Sequence, residues 1–219
     1  MSPFILTSIT LAVALASVAS VQPARAAPPG EVVGKIERGP TRVPEALTEP
    51  AAEHAPVLAT ARATLLKGKL KFTVPEGFVA SALAPGARMG TADVKGTVFA
   101  HDARKQLIIV GEWRTPSGVR VRDDDHVFLE RARADYIAHM QKALPDYEIL
   151  GDRALRIRTL GVRQTDGLST FGVVRTLSTS LLAASGATQA VVRIISRAED
   201  GERHQALVAE VIGAMRATR

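Results

Sequence analysis

Gln106-Leu107-Ile108-Ile109-Val110-Gly111 carries the architecture of this chain. Its four central residues are apolar and three are β-branched. A run that short, entered from a polar residue and left through glycine, reads as a strand buried on both faces. Such a strand needs a sheet on either side of it and cover above and below.

The neighbouring segments supply candidates for both. Upstream, Leu70, Phe72 and Val74 alternate with Lys69, Lys71 and Thr73, the period-2 pattern of a half-buried strand. Pro75-Glu76-Gly77 turns the chain into a short strand from Phe78 to Leu83, and Val94 to Ala100 gives another. Downstream, Asp123-Asp124-Asp125 precedes a helical pattern that runs to Leu144 and stops at Pro145. Leu129, Ala132, Tyr136, Met140 and Ala143 form its apolar stripe, and one Asp of the triplet caps it. Arg153 to Val162 reads as a strand. Gln164-Thr165-Asp166-Gly167 reads as a hairpin turn through its Asp-Gly pair, and Thr170 to Thr179 as the return strand. Ala190 to Ser196 is a last apolar strand. Asp200-Gly201 leads into a helix with Leu207, Val208, Val211, Ile212 and Met215 on one side. The order is strands, helix, strands, helix, with hairpin-like connections. The fold class is α+β: a mostly antiparallel sheet sandwiched between helices.

The amino-terminal part is of another kind. Phe4 to Val21 carries no charged side chain, and Ala24-Arg25-Ala26 follows. An apolar core with a small-x-small exit reads as an export signal, cleaved after Ala26. Residues 27–64 hold Pro28, Pro29, Pro40, Pro44, Pro50 and Pro56, and read as a mostly disordered tether with a short helix near Val57 to Leu66. The folded domain is expected over 65–219. With the signal gone, no later segment approaches a membrane-spanning length. The chain has no cysteine, which excludes disulfides, thiolate metal sites and an amino-terminal lipid anchor. A periplasmic protein that is not a lipoprotein is the expected product.

Charge narrows the partners. Residues 65–219 hold 23 of the 28 basic and 17 of the 22 acidic side chains. A basic domain favours anionic envelope components or an envelope protein. Nucleic acid is not expected, since aromatics for base stacking are only 4% of the chain. Arg156 and Arg158, two apart on the expected strand and flanked by Arg153 and Arg163, are the candidate anion-facing strip. Trp113, the single tryptophan, is a candidate contact anchor.

Signatures of chemistry are missing. There is no zinc-protease His-Glu-x-x-His, no phosphate-binding glycine loop and no dinucleotide fingerprint. Gly167-Leu168-Ser169-Thr170-Phe171-Gly172 is one residue too long for a nucleophile elbow. Asp123, Asp124, Asp125 and His126 are contiguous, so they cannot all close on one ion. His101-Asp102 is the remaining acid–base pair, placed in a surface turn. No catalytic residue, cofactor or metal is assigned.

Thr64-Leu65-Leu66-Lys67-Gly68-Lys69-Leu70-Lys71-Phe72-Thr73-Val74-Pro75 resembles the opening of the DcrB-like family of bacterial envelope proteins. The later order of elements is similar through about residue 217. The resemblance implies the fold shared by PsbP and Mog1, and a role in envelope maintenance or phage entry without catalytic residues. This chain departs from its often lipidated members in having no cysteine. An exported, non-enzymatic accessory or binding protein is therefore expected, with a periplasmic hydrolase around His101 and Asp102 as the alternative.

Overall fold

The computed structural model describes residues 61–89 and 92–218; the expected export signal and nearly all of the expected tether lie outside them. The strands in chain order are β1 (Arg62–Leu65), β2 (Leu70–Thr73), β3 (Val79–Ala82), β4 (Arg88–Met89), β5 (Ala92–Asp93), β6 (Lys95–His101) and β7 (Gln106–Arg114). Helix α1 (His126–Ala143) follows, then β8 (Glu148–Ile157), β9 (Leu160–Phe171), β10 (Val174–Ser185) and β11 (Thr188–Arg197). Helix α2 (Gly201–Ala214) and β12 (Arg216–Ala217) close the chain. No helix among the described residues is long and apolar enough to cross a membrane.

Seven strands form one sheet in the order β3-β6-β7-β11-β10-β9-β8, and every neighbouring pair is antiparallel. β7 sits inside it, as its apolar run requires. A second sheet, β1-β2-β12, and the small β4-β5 hairpin stand apart. The fold is thus α+β and mainly antiparallel, as expected. Helix and sheet signals also hold locally. Asp125 caps α1 by accepting from the Phe128 amide at 3.0 Å, and Leu129, Tyr136, Ile137 and Met140 are its buried side.

The family-like opening segment is the β1–β2 hairpin. Leu65 pairs with Leu70, and the loop between them takes Leu66, Lys67 and Gly68 through positive φ. Leu66 is buried all the same, and its amide donates to the Glu112 carboxylate on β7. An interior acceptor thus holds a backbone conformation that Leu and Lys rarely adopt.

The two faces of the large sheet are covered unequally. On one face, Ile108, Leu181, Val192 and Ile194 pack against Leu207, Val208 and Val211 of α2 and against Leu65, Leu70 and Phe72 of the small sheet. That is the main core. On the other face, α1 lies along β9 and β10, where Tyr136 and Met140 meet Leu182, Val191, Trp113 and Tyr147. It does not extend over the outer part of β7 and β11. Ile108 and Val110 are consequently buried, while Leu107 and Ile109 are only partly so. The sequence asks for cover on both sides of this strand; the structure provides it in full on one.

Three local expectations are corrected. Gln164 to Gly167 is no turn but the middle of β9. Gly167 is there because a Cβ would lie 2.6 Å from the Tyr147 ring. The real turns are Arg158-Thr159 and Gly172-Val173, each closing a tight hairpin. The segment expected as a short helix near residues 57–66 holds strand β1, so ordered structure begins before Leu65.

Candidate functional site

Where α1 stops short, a groove of about 450 Å³ opens on the sheet. Its floor follows the β7–β11 register. Gly111 faces Val191, Ile109 faces Arg193, and Leu107 faces Ile195. Tyr136, His139, Met140 and Ala143 of α1 form one wall. Leu83, Met89 and Val94 form the other, and the exposed β9–β10 turn, with Val173 97% exposed, overhangs one end.

The ionisable side chains of this groove, apart from Tyr136, are all basic. Lys105, His139, Arg193 and Arg197 line it, and among the described residues no carboxylate does. Arg197 is paired with Glu199 at 3.1 Å. Arg193 has no ion pair among the described residues; its Nη1 meets the Met140 thioether at 3.6 Å. The buried Arg193 Nε and His139 Nε2 have no hydrogen-bond partner. Burial, with Lys142 and Arg193 nearby, holds the His139 imidazole below its ordinary value.

These two atoms belong to a wider pattern. Tyr147 OH, Thr165 Oγ1, Ser169 Oγ, Ser178 Oγ and Arg163 Nε are also buried without a partner. The pleat places Thr165, Ser169 and Ser178 on the α1 side with Arg193, and Tyr147 packs there over Gly167. All the unpartnered buried polar atoms among the described residues are therefore on the face that α1 covers. Burial pushes the Tyr147 phenol up to about 12, and neighbouring Tyr136 adds to it.

The opposite face satisfies its polar groups in a chain. Asp166 accepts from Thr179 Oγ1 at 2.5 Å, which uses the only hydroxyl proton of that threonine. His204 Nε2–H therefore donates to Thr179 at 3.0 Å, and Nδ1 accepts from Ser196 at 3.1 Å. Ser196 in turn accepts from Gln106 Nε2 at 3.4 Å. The order Ser–His–Thr–Asp resembles a nucleophile relay in outline. Ser196 and His204 are only 1% and 2% exposed beneath α2, so a substrate would have to displace the helix to reach them.

The residues singled out from the sequence are dispersed. Trp113 is 8% exposed and packs with Tyr136 and Met140 behind the groove. Arg156, next to the last residue of β8, has a largely exposed side chain paired to Asp124 at 3.3 Å. Arg158 sits in the β8–β9 turn at φ +55°, so the two do not share a strand face. Arg153 points to Gln164 on the α2 side, and Arg163 binds Asp152 and Glu130 on the α1 side. His101 ends β6, accepts from the Arg104 amide at 3.4 Å and packs edge-on against Phe78; it does not line the groove. Among the described residues no cluster of His, Asp and Glu is arranged to hold a metal.

His139 and Arg193 were missed. Arg193 did carry a signal: it is a lone charge inside the apolar strand Ala190 to Ser196. Its position over an uncovered floor depends on where α1 lies, which no local pattern encodes.

No protein-family profile matches the sequence, and no curated protein does. Solved structures do. The chain is similar to the cyanobacterial PsbP (CyanoP) of Synechocystis sp. PCC 6803, with 12% identity and a TM-score of 0.54 over 77% of this chain and 98% of that one. It is also similar to LpqN of Mycobacterium tuberculosis, titled as involved in cell envelope biogenesis, with 11% identity and a TM-score of 0.45 over 73% of this chain and 86% of that one. A protein of Bacteroides thetaiotaomicron aligns with 8% identity and a TM-score of 0.47, over 74% of this chain and 49% of that one. At such identities the likeness speaks to the fold alone. The chain has a PsbP-like fold.

Proposed function

We propose that this chain is an exported, non-enzymatic binding protein of the bacterial envelope, which holds an elongated apolar ligand in the groove between α1 and the β7–β11 floor. The observation that carries it is the groove itself. Leu107, Ile109 and Ile195 leave part of an otherwise buried sheet face open, and a volume of about 450 Å³ is within the range of small-molecule sites. Apolar surface left open in this way gains from being covered. The uncharged run from Phe4 to Val21 supports export to the periplasm. The opening at residues 64–75 supports membership of the DcrB-like family.

The test is binding of a neutral apolar fluorophore, N-phenyl-1-naphthylamine. The wild-type chain is expected to bind it saturably. Ala143→Trp puts an indole into the groove from the α1 wall. It should abolish that binding while moving the melting temperature by no more than a few degrees, since Ala143 is only partly buried. Unchanged fluorophore binding by the variant, or no binding by the wild type, overturns the reading.

A further inference from the structure

We propose that the groove selects a single-chain amphiphile with a carboxylate head, a molecule of the long-chain fatty-acid class, whose head is held by Arg193 and His139. This rests on the groove being a ligand site, as proposed above.

The argument starts from Arg193. The Arg193 guanidinium is partly buried on the floor of an apolar groove, and its Nε–H, fully buried, is left without the acceptor that a desolvated donor needs. Among the described residues it finds only the weak thioether of Met140. Its Nε–H is buried and unused, and so is Nε2 of His139 on the adjoining wall. A planar carboxylate matches the guanidinium fork with two parallel hydrogen bonds. Among the described residues no carboxylate lines the groove to fill that role. Burial first, and then the nearby Lys142 and Arg193, hold the His139 imidazole low, so it meets a carboxylate as a neutral hydrogen-bond donor beside the Arg193 charge.

The tail follows from the floor. From Arg193 to Arg197 the strand runs four residues, about 13 Å at strand rise. Over that length the floor offers Ile195 and Leu107, walled by Leu83 and the β9–β10 turn. Lys105 stands at the far end, beside an Arg197 already paired with Glu199, and favours the approach of an anion over that of a cation. A neutral chain would leave Arg193 unpaired, and a cationic one would add a like charge.

The experiment is displacement of N-phenyl-1-naphthylamine from the full chain by dodecanoate, dodecanol and dodecyltrimethylammonium, all below their micellar concentrations. Dodecanoate should bind about tenfold or more tighter than dodecanol, as expected of a charge-assisted pair, with the trimethylammonium compound weakest. Arg193→Leu should bring dodecanoate to within about twofold of dodecanol without weakening dodecanol itself, and Arg193→Lys should restore part of the gap. Equal binding of the three chains by the wild type overturns the carboxylate assignment and leaves the groove reading intact. Failure of all three, with the fluorophore also unbound, overturns both.

Discussion

Asp123, Asp124 and Asp125 are adjacent in sequence and hold three different parts of the molecule. Asp125 caps α1. Asp124 meets Arg156 at the end of β8. Asp123 binds Lys69 at 2.7 Å and Ser185 at 2.7 Å, tying the start of α1 to the β1–β2 loop and to β10. Burial raises the Asp123 carboxyl, but the bonds from Lys69 and Ser185 outweigh it and hold it below its usual range. The capping role was legible, because a cap is local. The other partners lie 54, 62 and 32 residues away and had no trace in the sequence. His204 shows the same limit and gives a prediction. It reads as a lone histidine on a helix, yet it is the centre of a buried relay. Burial lowers its pKa, with Asp166 opposing. The unfolded imidazole takes a proton near 6.5, whereas the folded one resists until lower pH. Over that interval the unfolded chain binds more protons, so stability is complete above the unfolded value and falls as pH drops below it. His204→Leu should cost about 1–3 kcal/mol near neutral pH, because Thr179 and Ser196 lose a partner. The same variant should show a shallower loss of urea midpoint between about pH 7 and pH 5 than the wild type. Parallel profiles would show that His204 contributes nothing to the acid sensitivity.

At the scale of elements, the two helices are seated differently. α2 rests its Leu207, Val208 and Val211 on a sheet face whose buried polar side chains, among the described residues, all have partners. α1 rests Tyr136 and Met140 on a face that includes the unpaired hydroxyls of Thr165, Ser169 and Ser178. Tyr136 also bonds the Ser180 hydroxyl at 2.8 Å, and two ion pairs join the helix to the sheet, Glu130 with Arg163 at 2.9 Å and Arg133 with Asp152 at 3.3 Å. Unsatisfied groups offset part of the gain from burial on that side. Native-state hydrogen exchange should therefore find α1 opening at lower free energy than α2 and β11, by about 1.4 kcal/mol or a factor of ten in rate. Equal protection of the two helices would contradict it. The same contrast explains which elements the sequence revealed. Both helices, and the strands around Leu107 and Ala190, follow from period alone. The β8–β9 turn did not, since Arg158-Thr159 has no turn chemistry. The misleading Asp-Gly pair at 166–167 answers a tertiary demand, the close approach of the Tyr147 ring.

For the whole molecule, the domain closes on itself through its ends. β12 pairs with β2 at Arg216 and Ala217, and β2 pairs with β1, so the first and last described strands share one small sheet over the main core. A chain beginning at Ala61 should keep the melting temperature of the full chain to within about 2 °C. One beginning at Leu66 loses the buried Ala63 and Leu65. It should melt roughly 10 °C lower, given about 3 kcal/mol for those side chains and 2–4 °C for each. Scanning calorimetry distinguishes the outcomes; equal melting of the two truncated chains would show that β1 is dispensable. By itself the sequence determined the class of the fold: a buried strand at Leu107 to Val110, an antiparallel order of strands, and two amphipathic helices, the first with its Asp cap. Period and capping are short-range properties, written within a few residues of where they act. Only the tertiary structure decided which strands α1 covers. That choice leaves Leu107, Ile109 and Ile195 open and strands Arg193 and His139 at the edge of an apolar groove. Periodicity says that a face must be covered, but what covers it is settled by contacts between segments far apart in the chain.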